Sequence, residues 1–144
     1  MRILFTGGGT GGHFYPILSI AEELKALVKE KHLLELELFY MSPTPYDAGM
    51  LYEAGIEYKK NSAGKIRRSA GVLSTFRNFF DLFRTGWGVL SSVIQVYNIY
   101  PDVVFGKGGY ASFPALLAAR ILRILVVIHE SDTVAGRVNL WAGK

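Results

Sequence analysis

Arg2-Ile-Leu-Phe-Thr6 runs into Gly7-Gly-Gly-Thr-Gly-Gly12, and that loop into His13-Phe-Tyr-Pro16. An apolar strand, a loop with five glycines in six residues and the opening of a helix (about Pro16 to Lys31) follow one another directly. Backbone N–H groups at a helix N-terminus attract anions, and a loop without Cβ atoms lets a diphosphate approach closely. Gly7, Gly9 and Gly12 also satisfy G-x-G-x-x-G, the dinucleotide fingerprint. That match alone is weak. The dinucleotide pattern does not ask for His13, directly after the loop.

Outward from this loop, strands and helices alternate. Ile17, Ile20, Ala21, Leu24, Leu27 and Val28 recur at helical spacing. Leu34 to Met41 reads as a second strand. Pro43 and Pro45 then break the chain, and Tyr46 to Ala54 reads as a short helix closed by Gly55. Ile56 to Lys60 is a third strand, and a long helix is expected from about Val72 to Tyr97. Asp102 to Phe105 reads as a buried strand ending in Gly106-Lys-Gly-Gly109. A helix over Ser112 to Leu122, a strand over Leu125 to Ile128 and a helix over Val134 to Lys144 complete the pattern. Such alternation predicts the α/β class: a Rossmann-like parallel sheet with helices on both faces. Residues 1–144 contain no internal repeat or linker and are expected to form a single domain.

Half of the 144 residues are apolar, and the mean hydropathy is +0.24. No run of 18 uncharged apolar residues exists, since Arg120 and Arg123 break the longest candidate, Leu116 to Ile128. The opening residues do not read as a signal peptide. The absence of cysteine excludes disulfides and thiolate metal sites. A net charge of +4 and a pI near 9.4 suit an anionic partner, whether phosphate, lipid headgroup or nucleic acid.

In an open parallel sheet, ligands bind beyond the carboxyl ends of the strands. Three loops fall there: Gly7 to His13, Gly106 to Tyr110, and His129-Glu130-Ser131-Asp132-Thr133. Glycines for turns and polar caps for helices account for any one of them, but less readily for all three at one edge. The positive end of a helix dipole opposes a second positive charge, so His13 is expected to be neutral and able to take a proton from a hydroxyl. A capping or phosphate-bonding role is its structural alternative. Glu130 and Asp132, spaced E-x-D without a third ligand, make a poor metal site, and no metal is expected. Hydrogen bonding to sugar hydroxyls, or orienting His13, suits them better.

A second surface lies between Lys65 and Leu90. Phe76, Phe80, Phe83 and Trp87 recur at helical spacing, edged by Lys65, Arg67, Arg68, Arg77 and Arg84. Aromatic rings that enter the headgroup region beside cations that meet anionic lipid make an interfacial membrane patch. The alternative is that the rings pack on the sheet. Both are expected in part, with the aromatic-rich N-terminal end exposed.

With these residues in view, the chain resembles the N-terminal half of the MurG-type peptidoglycan glycosyltransferases, glycosyltransferase family 28. Gly8-Gly-Thr-Gly-Gly-His13 with Pro16 resembles the family's first loop, and Lys65-Ile-Arg-Arg68 falls at its basic loop. Pro101 to Tyr110 through Pro114 resembles the second loop, and His129-Glu130 through Ala135-Gly136 to Asn139 the third. The resemblance implies the GT-B fold, two Rossmann-like domains with the active site between them. It implies inverting transfer of N-acetylglucosamine from UDP-GlcNAc to the 4-hydroxyl of the muramoyl sugar of lipid I, yielding lipid II.

It further implies that Thr10, Gly11, Gly12, Gly108, Gly109 and Tyr110 lie at the diphosphate, and that His13 is the base for the acceptor hydroxyl. Glu130, Asp132 and Asn139 would line the sugar cleft. The partners implied are a polyprenyl-diphosphate-linked sugar, an anionic membrane surface at the cytoplasmic face of the plasma membrane, and a C-terminal donor-binding domain or subunit. No nucleic acid and no tightly bound cofactor are implied, UDP-GlcNAc being a substrate.

This chain departs from the family at two places. Asp132 and Ser131 stand where Asn and Gln are common, and residues 42–49 lack the usual glutamate. An ionised carboxylate only accepts hydrogen bonds, so an amide's donor contact would be lost at Asp132. The sequence also stops at Lys144, before a donor-binding half, and by itself is expected to be inactive. A truncated enzyme is the preferred reading, and an acceptor-binding, membrane-recruiting subunit of a two-chain enzyme the second. An NAD-binding module would place an acid at the end of strand two, where Phe39-Tyr40-Met41 has none.

Overall fold

The computed structural model describes residues 1–8, 10–32, 35–63, 72–131, 133 and 136–143, without the side chains of 72–81 and 84. The elements follow one another as β1 (Arg2–Gly7), α1 (Gly11–Glu30), β2 (Glu37–Ser42), α2 (Ala48–Glu53) and β3 (Ile56–Lys60). Next come α3 (Val72–Ile99), β4 (Val103–Gly108), a 3-10 turn (Tyr110–Ser112), α4 (Phe113–Ile121), β5 (Leu125–Ile128) and α5 (Arg137–Ala142). The five strands form one sheet in the order β3-β2-β1-β4-β5, and every pairing is parallel.

The alternation of side chains along each strand builds two cores. Ile3 and Phe5 of β1 join Leu38 and Tyr40 of β2 against Phe14, Ile17, Leu18 and Ala21 of α1. Leu4, Phe39, Met41 and Val104 point the other way, onto Val96 and Ile99 of α3 and Ala115, Leu116, Ala118 and Ala119 of α4. Adjacent residues of a strand face opposite sides, so a run such as Ile3-Leu4-Phe5 serves both layers. The chain winds outward from β1 to β2 and β3 on one side, and to β4 and β5 on the other. The reversal falls between β1 and β4, the position at which open parallel α/β sheets bind ligands.

Several boundaries differ from those expected: strand β2 starts at Glu37 rather than Leu34, and three other differences bear on the site. Helix α1 starts at Gly11 rather than near Pro16, because His13 N–H (3.1 Å) and Phe14 N–H (3.3 Å) both reach the Thr10 carbonyl and close the first turn. Pro16 therefore lies inside the helix, where it forgoes the bond to the Gly12 carbonyl and its ring crowds that same carbonyl. Strand β4 continues past Phe105 to Gly108, with Thr6 opposite Gly106 and Gly7 opposite Gly108. Lys107 is the extra residue of that irregularity, and bulges of this kind re-aim side chains. Helix α5 begins at Arg137, three residues later than Val134, with Gly136 extended ahead of it.

Helix α3, at 28 residues, is about 42 Å long, twice the roughly 20 Å of a six-residue strand. Among its described side chains, the buried positions are Gly88, Ser92, Val96 and Ile99. Among the described residues, no helix is long and apolar enough to cross a membrane.

Candidate functional site

Because every strand is parallel, the loops after β2, β1, β4 and β5 lie side by side at one edge. The first glycine loop is held from below. Fully buried Tyr40 donates its hydroxyl to the Gly7 carbonyl at 2.8 Å, and Thr6 Oγ1 donates to the Met41 carbonyl at 2.9 Å. Burial pushes the Tyr40 hydroxyl above its ordinary pKa of 10.

The sequence suggests that these glycines are small so that a ligand can approach. For most of them the protein itself takes the space. A Cβ on Gly7 would stand 3.0 Å from Lys107 Cβ, and one on Gly8 3.2 Å from Ala111 Cβ. A Cβ on Gly11 would come within 2.8 Å of the Tyr46 hydroxyl and 3.0 Å of the Tyr15 ring. Gly12 differs, because the nearest atom to its Cβ would be Thr10 Oγ1 at 3.9 Å. Among the described glycines of this loop, Gly12 alone borders open space. Exposed Thr10 makes no side-chain cap to the helix it precedes.

His13 sits where the first two glycine loops meet. Its Nδ1 lies 2.9 Å from the Gly8 carbonyl oxygen and 3.5 Å from Thr10 Oγ1. A carbonyl only accepts, so a neutral ring bonded there carries its proton on Nδ1 and keeps the Nε2 lone pair. A Cβ on Gly109 would be 3.2 Å from His13 Cε1 and 3.3 Å from the Gly8 oxygen. Gly109 also has φ +84, so both its backbone and its neighbours favour glycine. Behind it, Ser112 Oγ donates to the Gly109 carbonyl at 2.8 Å, and Tyr110 opens the 3-10 turn, partly exposed.

The third loop is organised by Glu130. One carboxylate oxygen accepts from Gly136 N–H and Asn139 Nδ2, each at 2.9 Å, and the other from Ser131 N–H at 3.1 Å. Asn139 is buried, and it packs so tightly on Gly108 (φ +96) that a Cβ there would stand 2.7 Å from Nδ2. Glu130, Asn139 and Gly108 thus form one framework joining β4 to α5. Asp132 lies outside the described residues.

Two residues that the sequence did not single out also enter the site. Lys107 is 1% exposed, and its ammonium donates to Ser131 Oγ at 2.7 Å, tying β4 to the third loop. A lysine between glycines at a strand end is a visible oddity, but its burial follows from the irregular pairing. Tyr46, from the loop after β2, reaches across to Gly11 with its own backbone at φ +61. Nothing local in Pro45-Tyr46-Asp47 announces that contact. Strand β2 itself ends in Met41-Ser42, with no acid for a ribose.

On α3, Phe83 and Trp87 of the expected membrane patch are 66% and 69% exposed. The exposed apolar face continues through Leu90, Ile94 and Tyr97. Lys65, Arg67 and Arg68 and the side chains of Phe76, Arg77, Phe80 and Arg84 lie outside the described residues.

Residues 3–144 match the Glycosyltransferase family 28 N-terminal domain. A UDP-N-acetylglucosamine–N-acetylmuramyl-(pentapeptide) pyrophosphoryl-undecaprenol N-acetylglucosamine transferase of Treponema pallidum is 38% identical over 142 residues, covering 95% of this chain and 34% of that protein. The transferase of the same name from Streptococcus mutans is 36% identical, over 99% of this chain and 37% of its own length. The chain thus spans about a third of the length of the curated relatives it matches. Among solved structures, Acinetobacter baumannii MurG superposes with a TM-score of 0.72 at 27% identity, over 99% of this chain and 38% of that one. The calicheamicin glycosyltransferase CalG4, at 17% identity, shares the fold with a TM-score of 0.63 over 94% of this chain and 34% of that one. The architecture is that of the N-terminal half of a GT-B glycosyltransferase, as the resemblance implied.

Proposed function

The chain belongs to the glycosyltransferase family 28 N-terminal domains, and from that premise we propose that it is the acceptor side of a MurG-type enzyme. That enzyme transfers N-acetylglucosamine from UDP-GlcNAc to the muramoyl 4-hydroxyl of a polyprenyl-diphosphate acceptor, with inversion. A C-terminal donor-binding domain or subunit completes the cleft and holds the nucleotide sugar in line, since positioning supplies much of the rate.

The observation that carries this reading is the setting of His13. With Nδ1–H donated to the Gly8 carbonyl at 2.9 Å, Nε2 is the atom left to take a proton. As the acceptor oxygen attacks the anomeric carbon, its proton passes to Nε2 and the UDP oxygen departs with the electron pair of the broken bond. Thr10, Gly11 and Gly12 at the N-terminus of α1, with Gly109 and Tyr110 opposite, receive the acceptor's diphosphate. Glu130 acts by holding the third loop, through Ser131, Gly136 and Asn139, against the back of β4.

Association with an anionic membrane surface is part of the same proposal. Helix α3 follows β3, whose carboxyl end lies at the edge of the site, and its middle carries exposed Phe83 and Trp87. In this reading the enzyme works as a peripheral protein at the cytoplasmic face of the plasma membrane.

Co-sedimentation of this chain with anionic vesicles, with and without a polyprenyl-diphosphate muramoyl sugar, tests the reading. Tighter binding to the sugar-lipid vesicles is expected. Equal binding to both overturns recognition of the acceptor, and no binding to either overturns the membrane patch as well.

A further inference from the structure

We propose that Tyr15 and Tyr46 form the subsite for the first isoprenyl units of the acceptor's polyprenyl diphosphate, an apolar corner between the diphosphate loop and the membrane. This rests on the reading of the first glycine loop as the diphosphate cradle. The two rings are 52% and 49% exposed and meet edge to face, with centroids 6.0 Å apart at 79°. Tyr46 leans on fully buried Phe14, at 4.9 Å and 37°, and its hydroxyl end rests against Gly11.

Tyr46 adopts this pose at φ +61, a conformation that bulky residues rarely take. His32, Tyr100 and Arg123 also have positive φ, and of these four described residues Tyr46 is the one that touches the first glycine loop. Strain of this kind persists where surrounding packing over-determines it, and it concentrates at ligand-binding sites.

The position of the corner selects its occupant. A diphosphate at the N-terminus of α1 carries a sugar on one phosphate and a prenyl chain on the other. His13 and Gly109 occupy the flank toward β4. Tyr15 is two residues beyond His13 and therefore faces the opposite side of the helix. Tyr46 comes from the loop after β2, on that opposite flank. Strand order then continues to β3, from which the chain enters α3 with its exposed Phe83 and Trp87. Read along the edge, the sequence is reacting sugar, diphosphate, aromatic corner, membrane surface. The apolar chain must leave the diphosphate through that corner, and half-exposed rings are the surface that shields its first units from water.

The test is direct binding of this chain to geranyl diphosphate and to inorganic diphosphate. Geranyl diphosphate is expected to bind about tenfold tighter, from the apolar surface that its first units bury. Y15A removes that advantage and leaves inorganic diphosphate unchanged, Y46A brings the ratio of the two affinities close to one, and Y46F keeps the ratio. Tyr15 is an exposed helix position, so Y15A also serves if Y46A disturbs the fold. Equal binding of the two ligands by the wild type overturns the subsite alone. The same loss for both ligands in Y15A and Y46A also overturns it, because the tyrosines would then merely shape the glycine loop. Dependence on Tyr46 for a sugar diphosphate that lacks a prenyl chain overturns it in favour of a sugar platform. Failure of the wild type to bind either ligand overturns the diphosphate cradle and the subsite together.

Discussion

Tyr40→Phe removes one oxygen atom from the middle of the sheet and leaves the ring in place. The stacking of that ring on Phe14 (5.9 Å) and Tyr58 (6.4 Å) survives, so the substitution isolates the hydroxyl. That hydroxyl donates at 2.8 Å to the carbonyl of Gly7, itself buried. Its loss strands a buried acceptor as well as deleting a bond, a combination that costs about 2 kcal/mol. For a chain of this size, that is a fall of roughly 1 M in the urea midpoint with an unchanged slope.

The same hydroxyl predicts behaviour at alkaline pH. Burial raises the Tyr40 pKa above 10, and that of Tyr58 likewise. Above pH 10 the unfolded chain releases tyrosine protons that the folded chain retains. The folded state then binds more protons, so stability falls as pH rises from 10 through the folded values. Urea titrations at pH 7 and pH 10.5 should show the wild type losing stability between them, and Tyr40→Phe losing less, with Tyr58 responsible for the remainder. Equal stability of the two proteins at pH 7 would refute the reasoning, because it would mean that the Gly7 carbonyl finds another donor. An alkaline loss identical in both would refute the assignment to Tyr40.

Gly109→Ala introduces a Cβ 3.2 Å from His13 Cε1 at φ +84. It should destabilise the chain by about 1–2 kcal/mol and shift the His13 ring resonances in NMR spectra, and unchanged resonances would count against the contact. Glu130→Gln gives the third loop an amide where the carboxylate accepts three hydrogen bonds, and should cost about 2 kcal/mol in thermal unfolding. Lys107→Met replaces a buried ammonium by a side chain of similar length, so stability should change by less than about 1 kcal/mol. Loss of its bond to Ser131 should nevertheless speed proteolysis around 129–136, and unaltered cleavage would show that the tether does not hold the loop. Paired Phe83→Glu and Trp87→Glu should abolish sedimentation with anionic vesicles without lowering the melting temperature, since both side chains are largely exposed.

Much of the fold is legible along the chain because the signals are local. Ile56–Lys60 and Leu125–Ile128 are strands over the expected residues, since short apolar runs bounded by turn residues admit little else. The start of α1 and the end of β4 differ from their local sequence signals for a shared reason. Both boundaries lie among glycines, whose weak intrinsic preference lets distant partners set the backbone, as the Gly7–Gly108 pairing does.

The sequence by itself determined the parallel α/β winding, the glycine loops at the strand ends and His13 at the opening of the first helix. Periodicity and turn chemistry are properties of neighbouring residues, and they survive any tertiary arrangement. Only the tertiary structure decided which glycines border open space and which face the protein. Gly7, Gly8 and Gly11 are filled by Lys107, Ala111 and Tyr46, whereas Gly12 is open. It likewise buried Lys107 beneath Ser131 and carried Tyr46 over Gly11. Those contacts join residues 24 or more positions apart, so they exist only once the sheet has assembled and the loops after separate strands stand side by side.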